Sequence, residues 1–441
     1  MELRGTRVMV VGLGVSGSAA ARFLASLGAS LVLADTRSEL PTSNLPRGEV
    51  CLGGEEPDWL RGVDLVVVSP GVPPTSKLVQ AARAAGTPVI GELELASRFI
   101  KFPIVGVTGT NGKSTVTTLI GEICTKAGMK AFVGGNLGTP LVEAIGHDFE
   151  LAVVEVSSYQ LETIQRLKPR VAIHLNLSDD HLDRYHDLNG YGRAKARIFE
   201  NQDTGDWAIL NRDDPLVWIL REEVQSQVLS FGFEKPGPLT GGAIWDESGL
   251  RFAIGGNSGM IRLDRFRLPG QFNRANAMAA AGAALALNLT PELVERTLAE
   301  FRGLPHRLEL VCEKNSVRFV DDSKGTNVGA VVQALEAVRA PVLLIAGGVD
   351  KGGSYAALRE PLRQKVRLLL LYGAAREIIR AALVGTTRVE SVRTLDEAVA
   401  RAAAEALPGD TVLLSPACAS FDQFKNYAER GRVFQELVLA L

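Results

Sequence analysis

Strand-length apolar runs alternate with alanine-rich helical stretches along most of the chain, and this alternation limits the possible folds more than any other feature. The runs are Val8–Val11, Leu31–Ala34, Leu65–Val68, Ile104–Val107, Leu151–Val154, Val171–Leu175, Val342–Ala346, Leu368–Tyr372 and Val412–Leu414. A strand that is apolar on both faces belongs in a parallel sheet covered by helices. The stretches Gly17–Leu27, Thr115–Ala127, Ala275–Leu287 and Leu395–Leu407 read as such helices. Repeated βα units predict an α/β fold with mostly parallel sheets.

With 441 residues, the chain has room for about three domains at roughly 150 residues each. The βα series restarts twice. One set closes near Val89–Ile90–Gly91, and a new strand with a glycine-rich turn begins at Ile104. The segment Phe301–Arg307 breaks a helix and reads as a linker. The expected units are therefore 1–91, 92–303 and 304–441. Within the second, Phe231–Arg267 falls into short glycine-punctuated segments that predict antiparallel pairing.

Composition removes several functional classes. The 48 basic and 50 acidic side chains leave a net charge of -2, which speaks against a generally basic nucleic-acid binder. Cys51, Cys124, Cys312 and Cys418 are far apart and form no CxxC pair, so neither a zinc site nor a redox motif is expected and a reducing compartment fits. No apolar run approaches the ~20 residues of a membrane span. Met1–Arg7 carries charges of both signs and reads as the lead into a first strand, not a signal peptide. A cytoplasmic protein is expected.

The strongest chemical signal is Thr108-Gly109-Thr110-Asn111-Gly112-Lys113-Ser114-Thr115, placed between an apolar strand and a helix. Glycines let backbone N–H groups face phosphates, and the helix N-terminus adds positive potential. Lys113 can neutralise β- and γ-phosphates, and the Ser114 hydroxyl can bind Mg²⁺. The spacing is not a strict Walker A, because Val107 stands where that pattern needs glycine.

A second glycine turn, Gly12-Leu13-Gly14-Val15-Ser16-Gly17, follows the first strand, and Asp35 closes the next. This is the dinucleotide fingerprint, with the acid on a ribose hydroxyl. Alone it supports an NAD-dependent dehydrogenase as readily as any other site with a diphosphate on a helix N-terminus. Ser69-Pro70-Gly71 belongs to the same sheet edge.

Glu155 closes the strand Leu151–Val154, and Asn176 and His181 follow Val171–Leu175. Carboxyl ends of parallel strands gather at one edge, so these residues and Lys113 can meet without being neighbours in sequence. A carboxylate with phosphate oxygens suits Mg²⁺, for which His is a less usual ligand. Asp179-Asp180 reads equally well as a solvated acidic pair, and spacing alone makes Lys195 a surface lysine on a helix. In the last unit, Asp321–Asn327, Gly347–Gly353 and Ser415–Ser420 each follow a strand end, and their lysines and hydroxyls suit a substrate with carboxylates. Cys418, between alanines and with no His nearby, reads as a buried thiol.

These segments resemble the Mur ligases, ATP-dependent amide-bond-forming enzymes of peptidoglycan synthesis, over essentially the whole chain. Thr108–Thr115 is similar to the family's ATP loop, which accounts for the departure from Walker A. Glu155–Leu161 and Asn176–Asp183 are similar to its Mg²⁺ segments, and Gly270–Ala277 and Leu304–Glu309 to its nucleotide segments. Asp322–Asn327 and Ser415–Phe424 look most like the branch that adds D-glutamate to UDP-N-acetylmuramoyl-L-alanine. The resemblance implies a Rossmann-like N-terminal domain, a central P-loop ATPase-like domain and a C-terminal Rossmann-like domain. It turns the first glycine turn into a holder for a UDP diphosphate.

By position, the resemblance implies that Gly14, Ser16, Gly17, Asp35, Thr36, Arg37, Ser69, Gly71 and Asn136 bind the UDP-substrate. ATP falls to Gly109, Thr110, Asn111, Gly112, Lys113, Ser114, Thr115, Asn276, Arg307 and Asp322. D-glutamate falls to Lys324, Thr326, Lys351, Ser420 and Tyr427. Catalysis falls to Lys113, Glu155, His181 and Lys195, and two Mg²⁺ ions to Ser114, Glu155, His181 and Lys195, the last as a carbamate. A monomer is expected, with no nucleic-acid partner.

Overall fold

The structure, a computed structural model, describes residues 2–237 and 241–441. Three sheets follow one another along the chain, within 7–91, 104–261 and 309–414. The first has five parallel strands in the order Glu49–Leu52, Ser30–Asp35, Arg7–Val11, Leu65–Val68, Val89–Gly91. Each apolar run read from the sequence falls on a strand, with Leu175 one residue past the end of its strand at His174, and the runs are buried on both faces.

Among the described residues the second sheet has nine strands. At one end it runs in parallel order Val171–His174, Ile104–Thr108, Leu151–Glu155, Ala131–Gly135, the last being the edge strand. At its far edge Gly242–Asp246, Leu250–Ile254 and Asn257–Ile261 form the expected antiparallel ladder. The helices Lys113–Lys126 and Gln271–Ala286 cover one face of this sheet. The alanines of Gln271–Ala286 explain the close fit: Ala277, Ala279, Ala280, Ala281, Ala283 and Ala284 are fully shielded, and small side chains let the helix axis approach the strands.

The third sheet has the order Glu309–Lys314, Val317–Asp321, Thr411–Leu414, Val342–Gly347, Val366–Tyr372, Arg388–Ser391, with only the first strand antiparallel. It follows the helix Pro291–Glu300 through a non-helical stretch in which Gly303, His306 and Leu308 all have positive φ. His306 is held there by its backbone N–H to Glu309 and by its Nδ1, 2.7 Å from Asp321 Oδ2. Among the described residues no helix is long and apolar enough to cross a membrane.

Candidate active site

The sheet order explains why distant sequence segments meet. The strand leading into the phosphate loop is flanked by the strand ending at Glu155 on one side and the strand preceding Asn176 and His181 on the other. Asn136 follows the next strand outward. All four ends point to the same edge, as parallel pairing requires.

In the loop, Gly109 and Gly112 take φ values of 144° and 89°. A side chain at Gly109 would meet Leu175 Cβ at 2.9 Å, and one at Gly112 would run into Asn276 Oδ1. Glycine is therefore required twice, for conformation and for close approach. Asn176 clamps the loop by accepting from Asn111 N at 2.8 Å and donating to Asn111 O at 3.0 Å. Thr110 Oγ1 receives the Ser178 N–H at 3.0 Å. Lys113 Nζ folds back to donate to Gly109 O and Thr110 O, each at 2.9 Å. Burial pulls this ammonium below the ordinary lysine range, against the opposing pull of Glu155 and Asp180.

Glu155 is nearly fully buried and accepts from Ser114 Oγ and from Asn136 Nδ2, both at 2.6 Å. His181 sits in the left-handed region at φ 56°, with its Nδ1 2.8 Å from Tyr159 OH and its Nε2 3.7 Å from Asp180 Oδ2. Burial lowers its pKa to about 4, so it is neutral at pH 7. A hydroxyl, a carboxylate and a neutral imidazole at the mouth of a phosphate loop form an oxygen-rich donor set that fits a hard divalent cation. Thr110, Gly112, Lys113, Ser114, Glu155 and His181 line one cavity of about 370 Å³.

Two sequence readings are corrected here. Lys195 is not a surface residue: it is 1% exposed, donates from Nζ to Gly109 O at 2.8 Å and lies 4.5 Å from the Tyr191 ring centroid. Burial, and then the neighbouring Lys113, push its pKa well below the ordinary lysine value. Spacing missed this because its helix, Leu188–Ala196, packs its terminal turn against the phosphate loop. Asp180 is not solvated either, although Asp179 is exposed. Burial alone would raise the Asp180 pKa, but Lys351, His181 and Asn327 together hold it below the usual range. Lys351 Nζ is 3.5 Å from it, and Asn327 Nδ2 donates to it at 3.1 Å.

Those two contacts bring the last unit onto the loop, as does the Asn327–Asn111 side-chain pair at 3.1 Å. Lys324, Thr326, Lys351 and Tyr427 line the far wall of the same cavity. Lys351 Nζ donates to Thr326 Oγ1 at 3.4 Å, and Lys324 Nζ to Tyr427 OH at 3.3 Å. Ser420 is buried in the turn where its carbonyl accepts the Gln423 and Phe424 N–H groups, and it does not line this cavity. Asp322 is fully buried and spends its oxygens within the protein, on Arg307 Nη1 at 3.1 Å and Ser415 Oγ at 2.7 Å. Asn276 packs beneath Gly112. Cys418 is buried, and burial pushes its thiol up to about 11.

At the N-terminal unit, Gly14, Ser16, Asp35, Thr36, Ser69 and Gly71 line a cavity of about 450 Å³, and Asn136 lines it too. A Cβ on Gly17 would collide with the Gly12 carbonyl, which also receives the Ser69 hydroxyl. Asp35 accepts from Leu13 N at 2.7 Å and from Arg37 Nη2 at 2.7 Å. The Arg37 side-chain bond outweighs burial, and with the Arg37 and Leu13 N–H groups it holds the Asp35 carboxyl at about 2. Asp35 thus fixes the glycine turn, and Arg37 turns back onto Asp35.

A further cavity of about 690 Å³ opens at the linker, bordered by Pro269, Asn273, Gly303 and Leu304. Thr115 and Arg307 line both this space and the phosphate-loop cavity. Asn273 stands three residues before Asn276 in the alanine-rich helix, inside the segment Gly270–Ala277 that resembles the family's nucleotide segments, although no individual role was expected of it. The three cavities therefore share residues: Asn136 joins the first to the second, and Thr115 and Arg307 join the second to the third.

Comparisons with known proteins agree with this architecture. Residues 6–91 match the Mur ligase MurD-like N-terminal domain, 107–284 the Mur ligase middle domain and 306–418 the Mur ligase glutamate ligase domain. A protein of Geotalea daltonii named UDP-N-acetylmuramoylalanine--D-glutamate ligase is 45% identical, with 100% of this chain and 99% of the relative aligned. One of Trichlorobacter lovleyi with the same name is 46% identical, with 98% of each chain covered. Among solved structures, a pseudomurein peptide ligase type C from Methanothermus fervidus superposes with a TM-score of 0.63 at 20% identity, covering 99% of this chain and 100% of that one. A MurF ligase from Thermotoga maritima in complex with ADP gives 0.61 at 19% identity, covering 100% and 94%. The structures share the fold, and the full-length matches settle the kinship: this chain belongs to the Mur ligase family.

Proposed function

We propose that this protein couples ATP cleavage to an amide bond, joining the D-glutamate amine to the alanyl carboxylate of UDP-N-acetylmuramoyl-L-alanine and releasing ADP and phosphate. One observation carries the reading: the phosphate-loop cavity borders an N-terminal pocket at Asn136 and a linker cavity at Thr115 and Arg307. A UDP-sugar in the first, a nucleoside in the last and D-glutamate against Lys324, Thr326, Lys351 and Tyr427 all meet at Lys113. Units 1–91, 92–303 and 304–441 would serve these three ligands in turn.

Carboxylate and amine do not condense in water, because the leaving group is poor. The alanyl carboxylate attacks the γ-phosphorus, ADP leaves, and the resulting acyl phosphate is attacked by the amine with loss of phosphate. The first step brings anion to anion. Lys113 and the loop N–H groups stabilise the charge that spreads over the phosphoryl oxygens. Bound magnesium at two positions, held by Ser114, Glu155, His181 and a carbamylated Lys195, would add neutralising charge to the same oxygens.

Support for the carbamate is the burial of Lys195 and its low amine pKa. A neutral amine can add to CO₂ and lose a proton, turning the side chain into a carboxylate-like ligand. The Asn327 and Lys351 contacts to Asp180 and Asn111 hold the last unit against the phosphate loop, in a position to shield an acyl phosphate from water. Phosphate release from ATP across a panel of amino acids and UDP-muramyl precursors tests the assignment. Release that requires both UDP-N-acetylmuramoyl-L-alanine and D-glutamate, and fails with L-glutamate, is expected. Equal release with another amino acid would contradict it.

A further inference from the structure

We propose that Arg184 and Tyr159 form a positioning relay that ties the substrate loop of the N-terminal unit to the imidazole of His181, so that seating of the UDP-sugar and orientation of that imidazole are coupled. This rests on the reading of His181 as a magnesium-holding residue.

The relay is continuous in the structure. Arg184 Nη1 donates to Pro70 O and Nη2 to Val72 O, each at 3.3 Å. These carbonyls flank Gly71, and residues 70–72 all border the N-terminal pocket. The same guanidinium ion-pairs with Glu162 through Nε at 3.0 Å and lies 4.1 Å from the centroid of the Tyr159 ring. Tyr185 OH donates to the same Glu162 oxygen at 2.6 Å, which fixes the carboxylate that holds the arginine. From the stacked ring, the Tyr159 hydroxyl reaches His181 Nδ1 at 2.8 Å.

Each link has a physical reason. Arginine cannot lose its charge, its planar fork serves two carbonyls at once, and its face packs on an aromatic ring. Arg184 and Glu162 are only 12% and 15% exposed at their side chains, so solvent competes weakly for these bonds. A bond on one imidazole nitrogen sets the tautomer and ring plane and leaves the other nitrogen for a ligand. His181 and Arg184 also share one turn, the Arg184 N–H donating to His181 O at 3.0 Å. Movement of the Pro70–Val72 loop therefore shifts the guanidinium, the ring beneath it and the hydroxyl that orients His181.

The test uses Mn²⁺ as probe, with free ion measured by electron paramagnetic resonance on the full-length protein, with and without UDP-N-acetylmuramoyl-L-alanine. In the unaltered protein the UDP-substrate is expected to tighten Mn²⁺ binding by at least about fivefold. Tyr159→Phe keeps the ring and removes only the hydroxyl; it is expected to weaken Mn²⁺ binding about tenfold and to abolish the effect of the UDP-substrate on it, while the Kd for the UDP-substrate measured without metal stays within about twofold. Arg184→Lys is expected to abolish the effect of the UDP-substrate on Mn²⁺ affinity and to raise its KM, with a single cooperative thermal transition and an unaltered circular dichroism spectrum showing that the fold is kept. The relay is overturned if Tyr159→Phe binds Mn²⁺ as the unaltered protein does while His181→Ala binds it more weakly, or if Arg184→Lys retains the coupling. If His181→Ala also binds Mn²⁺ normally, the reading of His181 itself falls, and the relay with it.

Discussion

Lys113→Met should lower kcat for ATP-dependent ligation by about 10³-fold, the loss found when a donor aimed at developing charge is removed. The side chain stands at the first turn of the helix Lys113–Lys126, with its ammonium on the carbonyls of Gly109 and Thr110 and the phosphate-loop cavity in front of it. Methionine has similar length and no charge, so packing is largely kept while the two carbonyls lose a donor at roughly 1–3 kcal/mol each. A thermal melt separates that cost from the kinetic one. UDP-N-acetylmuramoyl-L-alanine should bind the variant normally by calorimetry, since its pocket joins the cavity at Asn136. A kcat within tenfold of the unaltered enzyme would remove Lys113 from phosphoryl transfer.

Lys195→Arg should cost at least about 10²-fold in kcat, because the loss of one anionic metal ligand removes several kcal/mol of transition-state stabilisation. Arginine is similar in length but stays a cation and does not deprotonate, so it cannot become a carbamate. The unaltered protein, incubated with ¹³C-bicarbonate, should show a carbamate carbon resonance that Lys195→Arg lacks. The prediction fails if the resonance is absent from the unaltered protein and the variant keeps a tenth or more of the activity.

Much of this was legible in sequence for one reason: parallel strands buried on both faces write themselves as continuous apolar runs. Val8–Val11, Ile104–Val107 and Val342–Ala346 needed no other cue, and their carboxyl ends located the glycine loops. The phosphate loop was legible because its glycines answer to backbone demands at Gly109 and Gly112 that other residues do not meet.

What sequence hid was burial and partnership across the chain. Lys195 looks like any helical lysine until the helix Leu188–Ala196 is placed against Gly109. Asp180 looks solvated until Lys351 and Asn327, more than a hundred residues away, arrive from the last unit. Arg184 drew no reading from the sequence, and its role emerges only once Pro70 and Val72 are brought to it. In each case a single polar residue carries no period, and only tertiary contact decides its environment. Asp35 shows the reverse: its motif was visible, but the structure engages its oxygens with Leu13 and Arg37.

Oxygen transfer tests the central claim most directly. With UDP-N-acetylmuramoyl-L-alanine doubly labelled with ¹⁸O in the alanyl carboxylate, one labelled oxygen should appear in the released phosphate and the other in the new amide. That follows because the carboxylate oxygen bonded to phosphorus leaves with it when the D-glutamate amine attacks. Unlabelled phosphate accompanying the formation of labelled product would show that no acyl phosphate forms at Lys113.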